Sequence, residues 1–195
     1  MKDMMIKIFE NLISESDQQH IENTLLDSYF PWFFNERTVY DVVFENDTPQ
    51  FTHNFLNITT KQPTNAFGII EPIIVAIKQK LNLKNIHLLR VKANFLQKFS
   101  NSRIIHPAHV DSPLPNHYSM IYYPISSDGP IYFFNRHEEG NYKSFDSSLC
   151  SPIETIEPVK GNILFFNSNI FHASSTPTIF KKRLAINFVF QIDGN

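Results

Sequence analysis

Cysteine is almost absent: Cys150 is the single thiol in a chain of 195 residues. That excludes an intrachain disulfide, as well as zinc or iron–sulfur sites built from several thiolates, and it fits a reducing, cytoplasmic setting. Glycine is scarce too, at five residues. Neither a Gly-x-Ser-x-Gly nucleophile turn nor a Gly-rich phosphate loop occurs. Neither sign of charge dominates, since 17 Lys and Arg against 19 Asp and Glu leave −2. Such a balance argues against long nucleic acid as a partner, although Lys181-Lys182-Arg183 forms a local basic cluster. No apolar run is long enough to span a bilayer. The opening stretch mixes Lys2, Asp3, Lys7 and Glu10 with its apolar residues, unlike a signal peptide. A soluble protein without membrane partners is expected.

Apolar and aromatic residues are plentiful. With 42% hydrophobic residues and 19 Phe, a chain of this length can close one core, so residues 1–195 are expected to form a single domain. Met4 to Ile13 reads as a short apolar opening with strand character. A helix over about 15–28 follows, with Ser14 or Ser16 as N-cap and Ile21, Leu25 and Leu26 at helical spacing. Pro31-Trp32-Phe33-Phe34 ends it with an aromatic cluster, and residues 40–58 read as extended. Ile70, Ile73, Ile74, Ile77 and Leu81 predict a second helix, with Pro72 in its first turn. After Asn85 the pattern changes to strands: Ile86–Phe99, Tyr118–Pro124, Ile131–Asn135, Ile163–Asn167 and Leu184–Gln191, separated by breaks rich in Pro, Ser, Asp, Asn and Gly such as Glu139-Gly140-Asn141. The expectation is a mainly β, α+β domain, with residues 1–85 as helical support for an antiparallel barrel in 86–195.

The segment with most chemical content is His106-Pro107-Ala108-His109-Val110-Asp111, taken with His172 in Asn169-Ile170-Phe171-His172-Ala173-Ser174. On an extended strand, residues i and i+2 point the same way, so His109 and Asp111 can reach one ion together. Two neutral imidazoles and a carboxylate occupy one side of a metal such as Fe(II) and leave the other side open for reactants. On the long strand, Arg90, Lys92 and Asn94 alternate with Leu89, Val91, Ala93 and Phe95. Polar residues facing a barrel interior need partners or a ligand. Asn94 is accordingly assigned to a co-substrate or substrate pocket and Arg90 to substrate, while Lys92 is free to reach solvent. His117 and Tyr118, close to the motif in sequence, are further substrate candidates, and His106 and His137 are read as loop or rim residues.

From His109 onward the chain resembles the Fe(II)- and 2-oxoglutarate-dependent dioxygenases, nearest the prolyl-hydroxylase-like branch. The resemblance rests on His109-Val110-Asp111, Met120-Ile121-Tyr122-Tyr123-Pro124, Pro158 to Phe166 leading to His172, and Arg183-Leu184-Ala185-Ile186-Asn187-Phe188-Val189-Phe190. It covers about half of the chain. It implies a double-stranded β-helix (jelly-roll) core and hydroxylation coupled to oxidative decarboxylation of 2-oxoglutarate. His109, Asp111 and His172 would hold Fe(II). Arg183, Tyr123 and Asn187, joined by Asn94, would hold 2-oxoglutarate, with O2 as oxidant and ascorbate as an admissible accessory. Arg183 follows His172 by 11 residues, a slightly long spacing that keeps Lys181 and Lys182 in competition for the carboxylate. Gln97 to Ala108 lacks the glycine-rich turn of better-known members, which bears on the substrate entrance. Small molecules and peptides both fit as substrates, and a homodimer is compatible with the exposed strand edges such a fold would have. The competing readings are a catalytically silent jelly-roll binding module and a cupin-like metalloenzyme that does not use 2-oxoglutarate.

Overall fold

The computed structural model describes residues 6–39, 43–45, 47–57, 59–135 and 144–192. His137, the break at Glu139-Gly140-Asn141 and the first two residues of the opening apolar stretch lie outside them.

Two helices form where the periodicity places them. Helix α1, Glu15–Leu26, begins at Ser14, whose hydroxyl accepts from the Asp17 backbone N–H at 3.1 Å. It buries Ile21 and Leu25 completely. Helix α2, Glu71–Lys80, carries Pro72 in its first turn, where no N–H is needed. Ile73 and Ile77 are its fully buried face. Ile70 and Leu81 flank the helix, and a short 3-10 turn, Phe67–Ile69, precedes it.

The strands, in chain order, are β1 (Ile6–Phe9), β2 (Phe33–Asn35), β3 (Gln50–Asn54), β4 (Ile86–Gln97), β5 (Ala108–His109), β6 (His117–Tyr122), β7 (Ile131–Phe134), β8 (Ser144–Phe145), β9 (Glu154–Ile156), β10 (Ile163–Asn167), β11 (Phe171–Ala173) and β12 (Lys182–Ile192). A large sheet runs β1-β10-β6-β12-β4-β3-β2 and a small one runs β8-β5-β11-β7-β9, with every pairing antiparallel. The expectation that residues 1–85 are helical support needs correction, because β1 forms one edge of the large sheet and β2 with β3 forms the other. Short strands flanked by helices carry weak periodicity of their own, and it is pairing with longer neighbours that fixes them.

Alternation along the large sheet divides its side chains between two cores. Val91, Ala93, Met120, Tyr122, Leu184, Ile186, Phe188 and Phe190 face the helices and pack with Ile21, Leu25, Ile73 and Ile77. Ile121, Tyr123, Leu164, Phe166 and Ala185 face the small sheet and pack with Ile131 and Phe133 of β7. Gly161 ties α1 to this frame: its φ is +83°, and a Cβ there would lie 2.6 Å from the Gln18 side chain. The two sheets therefore enclose a space whose far end is polar.

Candidate metal and co-substrate site

β5 and β11 are neighbours in the small sheet, and their register sets His172 directly opposite His109. The two rings lie 4.6 Å apart, centroid to centroid, and are tilted by 50°. Beyond the end of β5 the chain is held by the Ser168 carbonyl, which accepts from the N–H groups of Asp111 and Ser112 at 3.0 and 3.1 Å. That anchors Asp111 beside the histidines. One ligand atom from each of His109, Asp111 and His172 lies within 4.8 Å of the other two. Asp111 Oδ2 is 3.6 Å from His172 Nε2.

Each imidazole is oriented from behind. His172 Nδ1 is 3.0 Å from the Ile170 carbonyl, and His109 Nδ1 is 3.4 Å from that of Pro107. With the proton on Nδ1 donated to a carbonyl, Nε2 keeps its lone pair for a metal. Burial, with His172 beside it, lowers the His109 pKa to about 3, so the ring is neutral at physiological pH. Burial acts to raise the pKa of Asp111, but the Arg90 guanidinium and then the two histidines outweigh it and hold this carboxyl well below the usual range. Arg90 binds Asp111 Oδ1, while Ser119 donates to Oδ2 at 2.6 Å and lies 2.9 Å from Ser168, hydroxyl to hydroxyl. A carboxylate and two imidazoles form a donor set that fits a divalent ion.

The site opens into a cavity of about 300 Å³ between the sheets. Arg90, Lys92, Asn94 and Leu96 of β4 face it, as do Arg183 and Asn187 of β12, together with the three candidate ligands. Arg183 is 3% exposed, and its Nε donates to the Gly129 carbonyl at 2.6 Å. A side chain at position 129 would meet the Ser175 carbonyl at 2.7 Å and Arg183 Cδ at 3.0 Å, so glycine is required for this approach. Tyr123 is fully buried, with its ring 5.6 Å from Arg183 Cζ. No carboxylate lies within ion-pair distance of Arg183 among the described residues. The Oδ1 atoms of Asn94 and Asn187 are buried without hydrogen bonds. A buried cation without a counter-ion and two amide oxygens without donors would be costly in a purely structural core.

The geometry separates the other candidates. Lys181 is exposed, and Lys182 lines a different groove with Leu25 and Trp32, so neither shares the cavity with Arg183. Tyr118, expected near substrate, does not line the cavity: it turns to the helix side and stacks on Phe165, centroids 5.2 Å apart. His117, bonded to the Ser112 hydroxyl at 2.7 Å, is not among the cavity's lining residues. His106 is no rim residue: it is 1% exposed, with Nε2 2.8 Å from the Thr48 hydroxyl and Nδ1 2.9 Å from that of Ser174. Lys92 faces the cavity rather than open solvent. Sequence reasoning missed Ser119 and Ser168, which sit on no motif, and Thr38, Val39 and Gln50, which join the cavity wall from outside the long strands. Strand alternation could have found Ser119, because it falls on the same face of β6 as Ile121 and Tyr123.

No protein-family model matches the chain, and no curated protein matches it in sequence. Comparison with solved structures is more informative. The epimerase SnoN in complex with Fe3+, alpha ketoglutarate and nogalamycin RO is similar at TM-score 0.62 and 8% identity, over 97% of this chain and 79% of that one. A prolyl hydroxylase from Trichoplax adhaerens, bound to a hypoxia inducible factor oxygen degradation domain peptide fragment, is similar at TM-score 0.62 and 12% identity, over 96% and 83%. HygX from Streptomyces hygroscopicus, with nickel and 2-oxoglutarate bound, is similar at TM-score 0.59 and 10% identity, over 97% and 83%. The chain thus shares the fold of the 2-oxoglutarate- and Fe(II)-dependent oxygenases, prolyl hydroxylases among them.

Proposed function

We propose that this protein is a non-haem Fe(II) dioxygenase that couples oxidative decarboxylation of 2-oxoglutarate to hydroxylation of a small-molecule or peptide substrate. The two facing sheets are read as its double-stranded β-helix. The observation that carries the proposal is the meeting of His109, Asp111 and His172 at one end of a cavity whose other wall holds Arg183 without a counter-ion.

His109 and His172 would bind iron through Nε2, and Asp111 would bind through the oxygen nearer His172. When bound, iron with 2-oxoglutarate and O2 would supply oxidation of an unactivated C–H bond, with release of succinate and CO2. Arg183 would grip the distal carboxylate of 2-oxoglutarate, its guanidinium aimed by the Gly129 carbonyl and the Tyr123 ring. The Tyr123 hydroxyl, beside the Arg183 guanidinium, and the amides of Asn94 and Asn187 would complete the co-substrate's polar contacts. Arg90 and Ser119 keep Asp111 ionised and fixed in direction. Burial between the sheets keeps bulk water from Asp111, His172, Tyr123 and Arg183, whereas Arg90 reaches solvent with part of its side chain.

The test is 2-oxoglutarate-dependent succinate formation by purified protein supplied with Fe(II), with and without substrate pools. Turnover that disappears in His172→Ala supports the assignment. Absence of succinate from the wild type would remove it.

A further inference from the structure

Two cationic donors in the cavity are left over once the proposed co-substrate contacts are made. Lys92 has no acceptor and no ion pair among the described residues, although it lies in the cavity wall. Arg90 directs one nitrogen to Asp111, and its Nε is buried without a partner. Asp111 takes Arg90 and Ser119 through its two oxygens and makes no ion pair with Lys92 among the described residues.

These residues also stand at a junction. Beside the cavity lies a groove of about 360 Å³ that shares Arg90 and Lys92 with it and continues along Asn35, Thr52, Asn54 and Asn57. The register explains the continuity. Asn54 pairs with Lys92 and Thr52 with Asn94, and partners directly opposite in an antiparallel pair point to one face. β3 therefore extends the inner wall of the large sheet outward as a shelf of amides and hydroxyls.

We propose that Lys92, assisted by Arg90, is a specificity residue that binds an anionic group, carboxylate or phosphate, of the substrate, whose polar remainder lies along Thr52 and Asn54. This rests on the reading that Arg183 is committed to 2-oxoglutarate. Arg183 pairs with Leu96, and Lys92 lies four residues from Leu96 along β4, roughly 13 Å by strand rise. Asn94 lies between the two cations on the same face of β4. A cation at the junction discriminates by charge: an anion recovers a charge-assisted hydrogen bond, whereas a neutral analogue leaves the ammonium buried and unpaired.

The test measures binding, by calorimetry or ligand-observed NMR, to the full chain loaded with Mn(II) and 2-oxoglutarate. The probes are matched pairs: glutamate and glutamine, phosphoserine and serine, uridine monophosphate and uridine. The first pair reports a carboxylate and the other two a phosphate. The proposal predicts that at least one anionic member binds about tenfold or more tightly than its neutral partner, and that Lys92→Met removes the preference while Lys92→Arg restores part of it. It is overturned if no anionic probe binds, if the neutral partners bind equally, or if Lys92→Met keeps the preference. A weaker affinity for 2-oxoglutarate in Lys92→Met also overturns it, by moving Lys92 to the co-substrate. Failure of the wild type to bind 2-oxoglutarate at all would instead bring down the reading beneath it.

Discussion

The two faces of the large sheet are made from the same strands and do opposite work. Under the helices, β4, β6 and β12 present Val91, Ala93, Met120, Tyr122, Leu184, Ile186, Phe188 and Phe190, a continuous apolar layer. On the other face the same three strands present Arg90, Lys92, Asn94, Ser119, Arg183 and Asn187 around the cavity. The first face gains from every area it removes from water. The second gives up part of that gain by holding charged and amide groups in a confined space. The lesson is that stability and chemistry are sorted by strand parity, so neighbouring substitutions should have different consequences.

The largest expected effect is on the helix-side face. Phe188→Ala removes a fully buried ring and should cost about 3–5 kcal/mol in denaturant unfolding. The fraction that remains folded should bind metal as before, and a change in metal affinity would blur the division. One residue earlier, Asn187 faces the cavity, so its substitution should register in 2-oxoglutarate binding rather than in unfolding. On the cavity face, Arg183→Leu should weaken 2-oxoglutarate binding by roughly tenfold to a hundredfold, since a charge-assisted hydrogen bond contributes about 1.5–3 kcal/mol. An unchanged 2-oxoglutarate requirement would shift the carboxylate partner elsewhere.

Acid should act through the buried histidines. Burial lowers the pKa of His106 to about 4 and that of His109 to about 3. Both folded-state values lie below the ordinary 6.5, so above that pH neither group affects stability. As pH falls below 6.5 the unfolded chain takes up protons that the native one refuses, and stability is lost until each folded pKa is reached. For the fully buried His106 this amounts to about 2 kcal/mol between pH 6.5 and 5. Urea unfolding of metal-free protein should show that slope, and His106→Asn should flatten it. The smallest effect belongs to Ser119→Ala, which removes one hydrogen bond to Asp111 and should lower metal affinity about tenfold while leaving the fold intact.

Parity was also what made part of the molecule legible beforehand. The alternation of Arg90, Lys92 and Asn94 with Val91 and Ala93 is visible in the sequence and reappears as cavity against core. The spacing of Ile73 and Ile77 likewise marks the buried side of α2. Tyr122 and Tyr123 divide between the two cores as adjacent strand residues must. What was not legible depends on partners distant in sequence. β3 owes its place to pairing with β4, and β2 to pairing with β3, so within a stretch read only as extended Gln50 and Thr52 gave no sign of facing the cavity side. His106 does lie in a loop, but its burial was hidden because the hydroxyls that satisfy it, on Thr48 and Ser174, lie 58 and 68 positions away. Tyr118 was misplaced because nearness in sequence to Asp111 says nothing about which face of β6 it takes.

The central claim is that His109, Asp111 and His172 bind one metal ion within reach of a 2-oxoglutarate held by Arg183. Adding Fe(II) anaerobically to the purified protein and then titrating 2-oxoglutarate tests it directly. The account predicts a visible charge-transfer absorption that grows with 2-oxoglutarate, is lost in His172→Ala and needs more 2-oxoglutarate in Arg183→Leu. A wild-type spectrum indifferent to 2-oxoglutarate, or one that His172→Ala reproduces unchanged, would contradict it.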